Sequence, residues 1–120
     1  MNNKVAIEDT LGKLFELQKE FQAGLDSKLN ELPKEMPEYI PLQMTALIAE
    51  LGEILEENQK WKSWRKNPPP VNYDNLLTEV VDAFHFLINI ALFLGFDSND
   101  IYDRFIKKNK KNIERQDSNY

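Results

Sequence analysis

Two pairs of acidic residues have a spacing that suits metal-dependent chemistry. Glu50 and Glu53 lie in the mainly apolar segment 46–55, and Glu79 and Asp82 open a still more apolar segment. Residues three positions apart project from the same face of an α-helix. Burying a carboxylate among apolar side chains costs several kcal/mol unless a cation or hydrogen bonds offset the cost. Because Mg²⁺ prefers oxygen ligands, the sequence predicts a magnesium site made by these four carboxylates.

Two other interpretations of these residues remain open. Glu50 and Glu53 alone would equally fit a solvated helix edge. Glu79, Asp82 and His85 also have the carboxylate–histidine spacing seen in di-iron bundles. Such bundles need a Glu-x-x-His motif from each of two helices, whereas this chain has a single histidine. A symmetric di-iron site within one subunit is therefore disfavoured.

The elements that position these residues are predicted to be helices, since apolar residues recur at helical spacing and no long period-2 alternation is present. The four predicted helices span about 8–31, 41–60, 74–94 and 99–115. Three prolines mark residues 32–41 as a connector, and Pro41 suits the first turn of the second helix.

Helix-stopping and helix-capping residues support the predicted ends of the second, third and fourth helices. The run Asn67-Pro-Pro-Pro70 stops any helix. Asp74 is the expected N-cap of the third helix and Gly95 its expected end, and either Asp97 or Ser98 can cap the fourth.

The predicted fold class is all-α: a compact four-helix bundle that forms a single domain over residues 1–120. Its third helix is apolar nearly all the way round, as expected of a helix buried on every side. One layer of four helices cannot easily surround it in so small a domain. We therefore expect part of this helix to face a second subunit, most simply across a two-fold homodimer interface.

Composition narrows the class of protein further. The chain has 120 residues, a net charge of −5 and no cysteine. The acidic balance argues against nucleic-acid binding, and the apolar stretch 80–94 is short for a membrane span. The missing cysteines and an N-terminus without a signal-like apolar core fit a cytoplasmic, soluble protein. Basic residues cluster in 60–66 and 104–115, which suits a small anionic ligand or two solvated surfaces.

The acidic pairs, Glu50-Leu-Gly-Glu53 and Glu79-Val-Val-Asp82, resemble the signature of the all-α nucleoside triphosphate pyrophosphatases, which include MazG-like proteins and the dimeric dUTPases. Flanking segments are similar to the dimeric dUTPase branch, with departures at Gln22 and Asn119. These segments are Leu17-Gln-Lys-Glu-Phe-Gln22, Trp61-Lys-Ser-Trp-Arg-Lys66, Asp82-Ala-Phe-His-Phe-Leu87 and the tail from Lys108 to Tyr120.

The resemblance implies roles for these residues. Glu50, Glu53, Glu79 and Asp82 would bind Mg²⁺, and Glu53, with Glu50 beside it, would orient or deprotonate the attacking water. The implied phosphate-binding residues are Lys62, Lys108, Asn112, Arg115 and Tyr120. The implied base- or sugar-binding residues are Gln18, Gln22, Trp61, His85 and Asn89.

The implied activity is magnesium-dependent hydrolysis of dUTP to dUMP and pyrophosphate. The same chemistry on another nucleotide, such as dCTP or a modified nucleotide, is the nearest alternative. A non-catalytic helical dimer that serves as an interaction module is an alternative of a different class, although a scaffold has no evident use for acidic residues within an apolar helix.

Overall fold

The computed structural model describes residues 9–28 and 36–118, which form four α-helices and no strand within those ranges. The helices are α1 (Thr10–Lys28), α2 (Met36–Glu57), α3 (Tyr73–Phe93) and α4 (Ser98–Asp117). The all-α prediction is confirmed. Residue 8 and residues 29–31 of the predicted first helix lie outside the described ranges.

The start of α2 corrects the sequence prediction. The helix begins at Met36 and contains Pro41, whereas the sequence suggested a connector up to that proline. Pro41 is the sixth residue of α2, so the helix lacks the one backbone hydrogen bond that an N–H at this position would donate. The Pro41 carbonyl in turn accepts a 2.8 Å hydrogen bond from Thr45 Oγ1.

The chain leaves α2 earlier than predicted. The helix ends at Glu57, and a single 3₁₀ turn, Gln59–Trp61, follows it. Asn58 caps this turn, because its side chain accepts a 3.2 Å hydrogen bond from the Lys60 backbone N–H. The proline run 68–70 then lies outside any helix, as expected.

The ends of α3 and α4 are determined by local hydrogen bonds. The N-cap of α3 is Asn72 and not Asp74, since the Asn72 side chain accepts from the Asn75 N–H at 3.1 Å. Gly95 follows α3 with a φ of 89°, a conformation that glycine adopts without strain. Asp97 caps α4 in a reciprocal pair with Asp100.

Packing centres on α2 and α3, which lie against each other along most of their lengths, while α1 contacts α3 and α4. Among the described helices, α4 contacts α1 alone. The radius of gyration is 18.2 Å, against about 14 Å for a compact chain of this length. Tyr39 of α2 stacks on Phe93 of α3 with ring centroids 4.0 Å apart. A single chain therefore forms an open bundle with a small core.

Much apolar surface stays uncovered in this open arrangement. On α3, Leu77 and Phe84 are 61% and 53% exposed, and Val81 and Leu87 on the same side are also exposed. On the first two helices Phe21 and Ile48 are exposed as well, whereas Phe15 is buried. By length and composition α3 would also suit a membrane span, and 11% of its most apolar part is buried in the single chain. One such helix does not by itself establish a membrane protein.

Candidate active site

Three of the four predicted carboxylates meet where α2 and α3 pack together. One ligand oxygen from each of Glu50, Glu53 and Glu79 lies within 4.8 Å of the other two. The spacing of Glu50 and Glu53 puts both on one face of α2, and the alignment of the two helices brings Glu79 opposite them. These oxygens are close enough to share one cation.

The electrostatics of this cluster are unfavourable without a counter-charge. Oε2 of Glu50 and Oε2 of Glu79 are both buried and have no hydrogen-bond partner in the described part of the chain. Hydrogen bonding with the Glu53 carboxyl, followed by burial, raises the pKa of Glu79 to about 7. Burial, followed by contact with Glu53, raises the pKa of Glu50. Orphaned carboxylate oxygens with raised pKa values fit a hard divalent cation such as Mg²⁺.

Asp82, the fourth predicted ligand, lies beside this cluster and not within the group of three. It follows Glu79 by three residues on α3, and its charge contributes to the raised pKa of Glu50. Asp82 and Glu50 both line a cavity of about 690 Å³ that opens next to the carboxylates. The position of Asp82 therefore connects the cluster with the cavity.

The cavity holds four of the five residues predicted to contact a base. Its remaining lining is mostly apolar, which suits a flat ring. The four predicted residues in its wall are Gln18, Gln22, His85 and Asn89.

A hydrogen-bonded network joins the polar side chains of this wall. Gln18 Nε2 donates to Asn89 Oδ1 at 3.0 Å, and both residues are buried, with 4% and 6% of their surface exposed. Asn89 Nδ2 donates to Gln22 Oε1 at 3.3 Å and to Gln43 Oε1 at 3.2 Å. Nδ1 of His85 hydrogen-bonds with Oε1 of Gln18.

Sequence reasoning missed Asp26, Tyr39 and Gln43, all of which line the cavity. The signal for Asp26 was present, because steps of four place Gln18, Gln22 and Asp26 along one line of α1. Gln22 Nε2 donates to Asp26 Oδ1 at 2.9 Å. Burial, and secondarily the charge of Asp26, raises the pKa of Tyr39.

The tryptophan segment lies away from this cavity. Trp61 is half-exposed, its Nε1 donates to the Leu55 carbonyl at 3.1 Å, and its ring meets that of Trp64 edge-on. The Lys62 ammonium sits 5.4 Å from the centre of the Trp61 ring. Within one chain, neither Trp61 nor Lys62 lines the cavity.

The predicted phosphate-binding tail is also separate from the carboxylates. Lys108 and Asn112 are exposed on α4, Arg115 is partly buried on the same helix, and Tyr120 lies outside the described residues. Because α4 packs on α1 alone among the described helices, these side chains are not gathered with Glu50 and Glu79 in a single chain.

Comparison with known proteins agrees with this geometry. Residues 10–95, which include the carboxylates and the amide network, match the family model described as dUTPase. Two curated relatives are named dCTP pyrophosphatase: one from Enterobacteria phage T4 is 29% identical, and one from Enterobacteria phage LZ5 is 26% identical.

Each alignment covers 72% of this chain and about 60% of the phage protein, so the chain spans less than two thirds of the length of these relatives. No solved structure matches the chain significantly. The family match covers α1, α2 and α3 with both acidic motifs, and it ends before α4. The chain therefore belongs to the all-α dUTPase family, which is related to the MazG-like nucleotide pyrophosphatases.

Proposed function

We propose that this protein is a magnesium-dependent dUTP pyrophosphohydrolase that converts dUTP to dUMP and pyrophosphate. The observation that carries the proposal is the pair of buried, unpartnered carboxylate oxygens on Glu50 and Glu79, next to a cavity large enough for a nucleoside. A scaffold gains nothing from such a pair, whereas a metal-dependent hydrolase needs it.

The proposed metal-binding residues and the proposed base-binding residues lie toward opposite ends of the cavity. Glu50, Glu53, Glu79 and Asp82 would hold Mg²⁺ at one end. When bound, the metal neutralises charge on the phosphates and lowers the pKa of a coordinated water. Glu53, the most exposed of the three clustered glutamates, would accept a proton from the water that attacks the α-phosphorus. The bond to the β-phosphate oxygen breaks, and pyrophosphate leaves.

At the other end, the apolar wall would pack against the base, and the amide network would hydrogen-bond to the edge of the base. Gln18, Gln22, His85 and Asn89 offer the donors and acceptors that a pyrimidine edge requires. Lys62, Lys108, Asn112, Arg115 and Tyr120 remain our proposed phosphate contacts, and Trp61 a proposed base contact. In one chain the described members of this group lie away from the cluster, so these roles require a rearrangement or a second subunit.

We also propose that the protein works as a cytoplasmic homodimer and binds neither nucleic acid nor membrane. The exposed apolar side of α3, which includes Leu77, Val81 and Phe84, supports the dimer. The net charge of −5 supports the exclusion of nucleic acid.

The second candidate is the same reaction on dCTP, which the names of the two phage relatives favour. A turnover panel separates the two candidates: pyrophosphate release is measured from dUTP, dCTP and dTTP, with and without Mg²⁺. The proposal expects the fastest release from dUTP and none without metal. Equal rates on all three nucleotides would overturn the dUTP assignment, and faster release from dCTP would establish the alternative.

A matched pair of variants tests the chemistry itself. Glu53→Gln removes the proposed base and should lower kcat by at least about 100-fold. Glu56→Gln, an exposed glutamate three residues further along α2, removes the same charge and should leave turnover unchanged. Similar rates for both variants would contradict the assigned role of Glu53.

A further inference from the structure

The hydrogen bonds in the cavity wall form a continuous chain from Asp26 on α1 to His85 on α3. We propose that Asp26 is a positioning residue that sets the direction of this chain, and so fixes the tautomer of His85 and the pattern of donors and acceptors shown to the base. The claim about the base rests on the proposed function, whereas the claim about the tautomer does not.

The donor-to-acceptor direction of the hydrogen-bond chain is imposed by Asp26. An ionised carboxylate only accepts hydrogen bonds, so the atom of Gln22 that faces Asp26 must be the amide nitrogen. The distance from Gln22 Nε2 to Asp26 Oδ1 is 2.9 Å. The other end of the same amide, Oε1, then points to Asn89. The orientation of Gln22 thus follows from charge chemistry alone.

Asn89 transmits this orientation across the cavity wall. Because Gln22 presents an oxygen, Asn89 must present its nitrogen, and Nδ2 donates to both Gln22 Oε1 and Gln43 Oε1. Both hydrogens of the Asn89 amide are thereby used. Its Oδ1 faces the opposite way and accepts from Gln18 Nε2 at 3.0 Å. An Asn89 that is 6% exposed has little access to water as an alternative partner.

The last hydrogen bond of the chain, between Gln18 and His85, determines the tautomer of the imidazole. Gln18 uses its nitrogen on Asn89, so it turns Oε1 toward Nδ1 of His85. A carbonyl oxygen needs a donor, and therefore Nδ1 carries the proton of the neutral ring. Nε2 is left as an acceptor, and no residue of the described ranges hydrogen-bonds to it. His85 lines the same cavity as the amides.

Without an acceptor-only group at position 26, the whole chain could run in reverse. Every side-chain amide would flip, so that its oxygen and nitrogen exchange places. Gln18 would then donate to Nδ1, and His85 would carry its proton on Nε2. Uracil and cytosine differ by such a reversal, because uracil has a carbonyl where cytosine has an amino group. A network with a fixed direction discriminates between the two bases, and a reversible one does so poorly.

The single histidine makes the tautomer directly observable. Long-range ¹H–¹⁵N correlation spectra of the ¹⁵N-labelled, nucleotide-free protein at alkaline pH show which ring nitrogen of His85 is protonated. We expect the Nδ1–H tautomer. Asp26→Asn has the same shape but can donate or accept, so it should move the two ring ¹⁵N resonances toward each other, as in a tautomer mixture. Asp26→Glu keeps an acceptor-only end and should restore the wild-type pattern.

The control variant is Glu20→Gln, which removes one negative charge from an exposed site on the same helix and should leave the ring resonances unchanged. An Nε2–H tautomer in the wild type would overturn the proposal, as would an Asp26→Asn spectrum identical to that of the wild type. Thermal melts confirm that the variants are folded.

A second readout concerns substrate choice. Asp26→Asn should reduce the ratio of kcat/KM for dUTP over dCTP by about tenfold, the effect of one misoriented hydrogen bond, while Glu20→Gln preserves the ratio. An unchanged ratio would contradict the link between Asp26 and base choice. If no nucleotide is hydrolysed, the proposed function fails, yet the NMR result still decides the role of Asp26.

Discussion

Gln18 on α1 and Asn89 on α3 are joined by a buried 3.0 Å hydrogen bond, although 71 positions separate them in the chain. This bond ties the first helix to the central one and places two amides in the wall of the nucleoside-sized cavity. Because both residues are buried, removal of either partner leaves the other without water to replace it.

Gln18→Leu tests this bond as a stabilising contact. The substitution keeps the bulk of the side chain but orphans Asn89 Oδ1, so it should lower the free energy of unfolding by about 1–3 kcal/mol. Urea denaturation measures the loss. Lys13→Leu, at an exposed site on α1, should stay within about 0.5 kcal/mol of the wild type. Equal effects of the two substitutions would show that the buried bond contributes little.

The raised pKa of Glu79 predicts an unusual pH dependence of the metal-free protein. Its pKa is about 7 in the folded chain, against an ordinary value of 4.5. The folded state therefore binds this proton more tightly than the unfolded state. The contribution to stability is full below about pH 4.5, is lost as pH rises toward 7, and is constant above that.

Glu79→Gln should remove much of this slope and make the metal-free protein more stable than the wild type at pH 8. The raised pKa of Glu50 has the same sign, so part of the slope should persist. Denaturation in EDTA across this pH range provides the measurement. Glu56→Gln is the control and should follow the wild-type curve. A wild type that gains stability between pH 5 and 7, with Glu79→Gln behaving identically, would contradict the burial of this charge.

Magnesium should offset the loss of stability that the ionised glutamates cause in the metal-free protein. A cation at Glu50, Glu53 and Glu79 replaces protons, so Mg²⁺ should bind more weakly at pH 6 than at pH 8 and release protons as it binds. At a hundredfold excess over Kd, it should stabilise the fold by about 2.7 kcal/mol. Calorimetry in two buffers of different ionisation enthalpy detects the protons. An unfolding midpoint at pH 8 that does not respond to Mg²⁺ would count against the site.

The exposed apolar side of α3 predicts dimerisation. Light scattering should report twice the chain mass of 14.1 kDa at micromolar concentration. Phe84→Glu places a charge on this side and should weaken the dimer by about 2 kcal/mol or more. Asn75→Glu, at an exposed polar position on the same helix, should leave it intact. A monomeric wild type would show that α3 is uncovered in solution.

The sequence alone determined the features that arise within one helix. The stop at Gly95 depends on backbone freedom, so residue type was enough to predict it. For the N-caps, residue type narrowed α4 to Asp97 or Ser98 but pointed to Asp74 for α3, where Asn72 is the cap. The pairing of Glu50 with Glu53 follows from helical spacing in the same way. The misplaced start of α2 shows the limit of such rules, because a proline in the second turn costs only one hydrogen bond.

Only the tertiary structure decided which residues meet across helices. It brought Glu79 to Glu50 and Glu53, left Asp82 at the cavity edge, and left Trp61 outside the cavity within one chain. It also added Asp26 to the site, which helical spacing alone could not distinguish from a solvated acid. Such contacts depend on the alignment and rotation of whole helices, which no local pattern specifies.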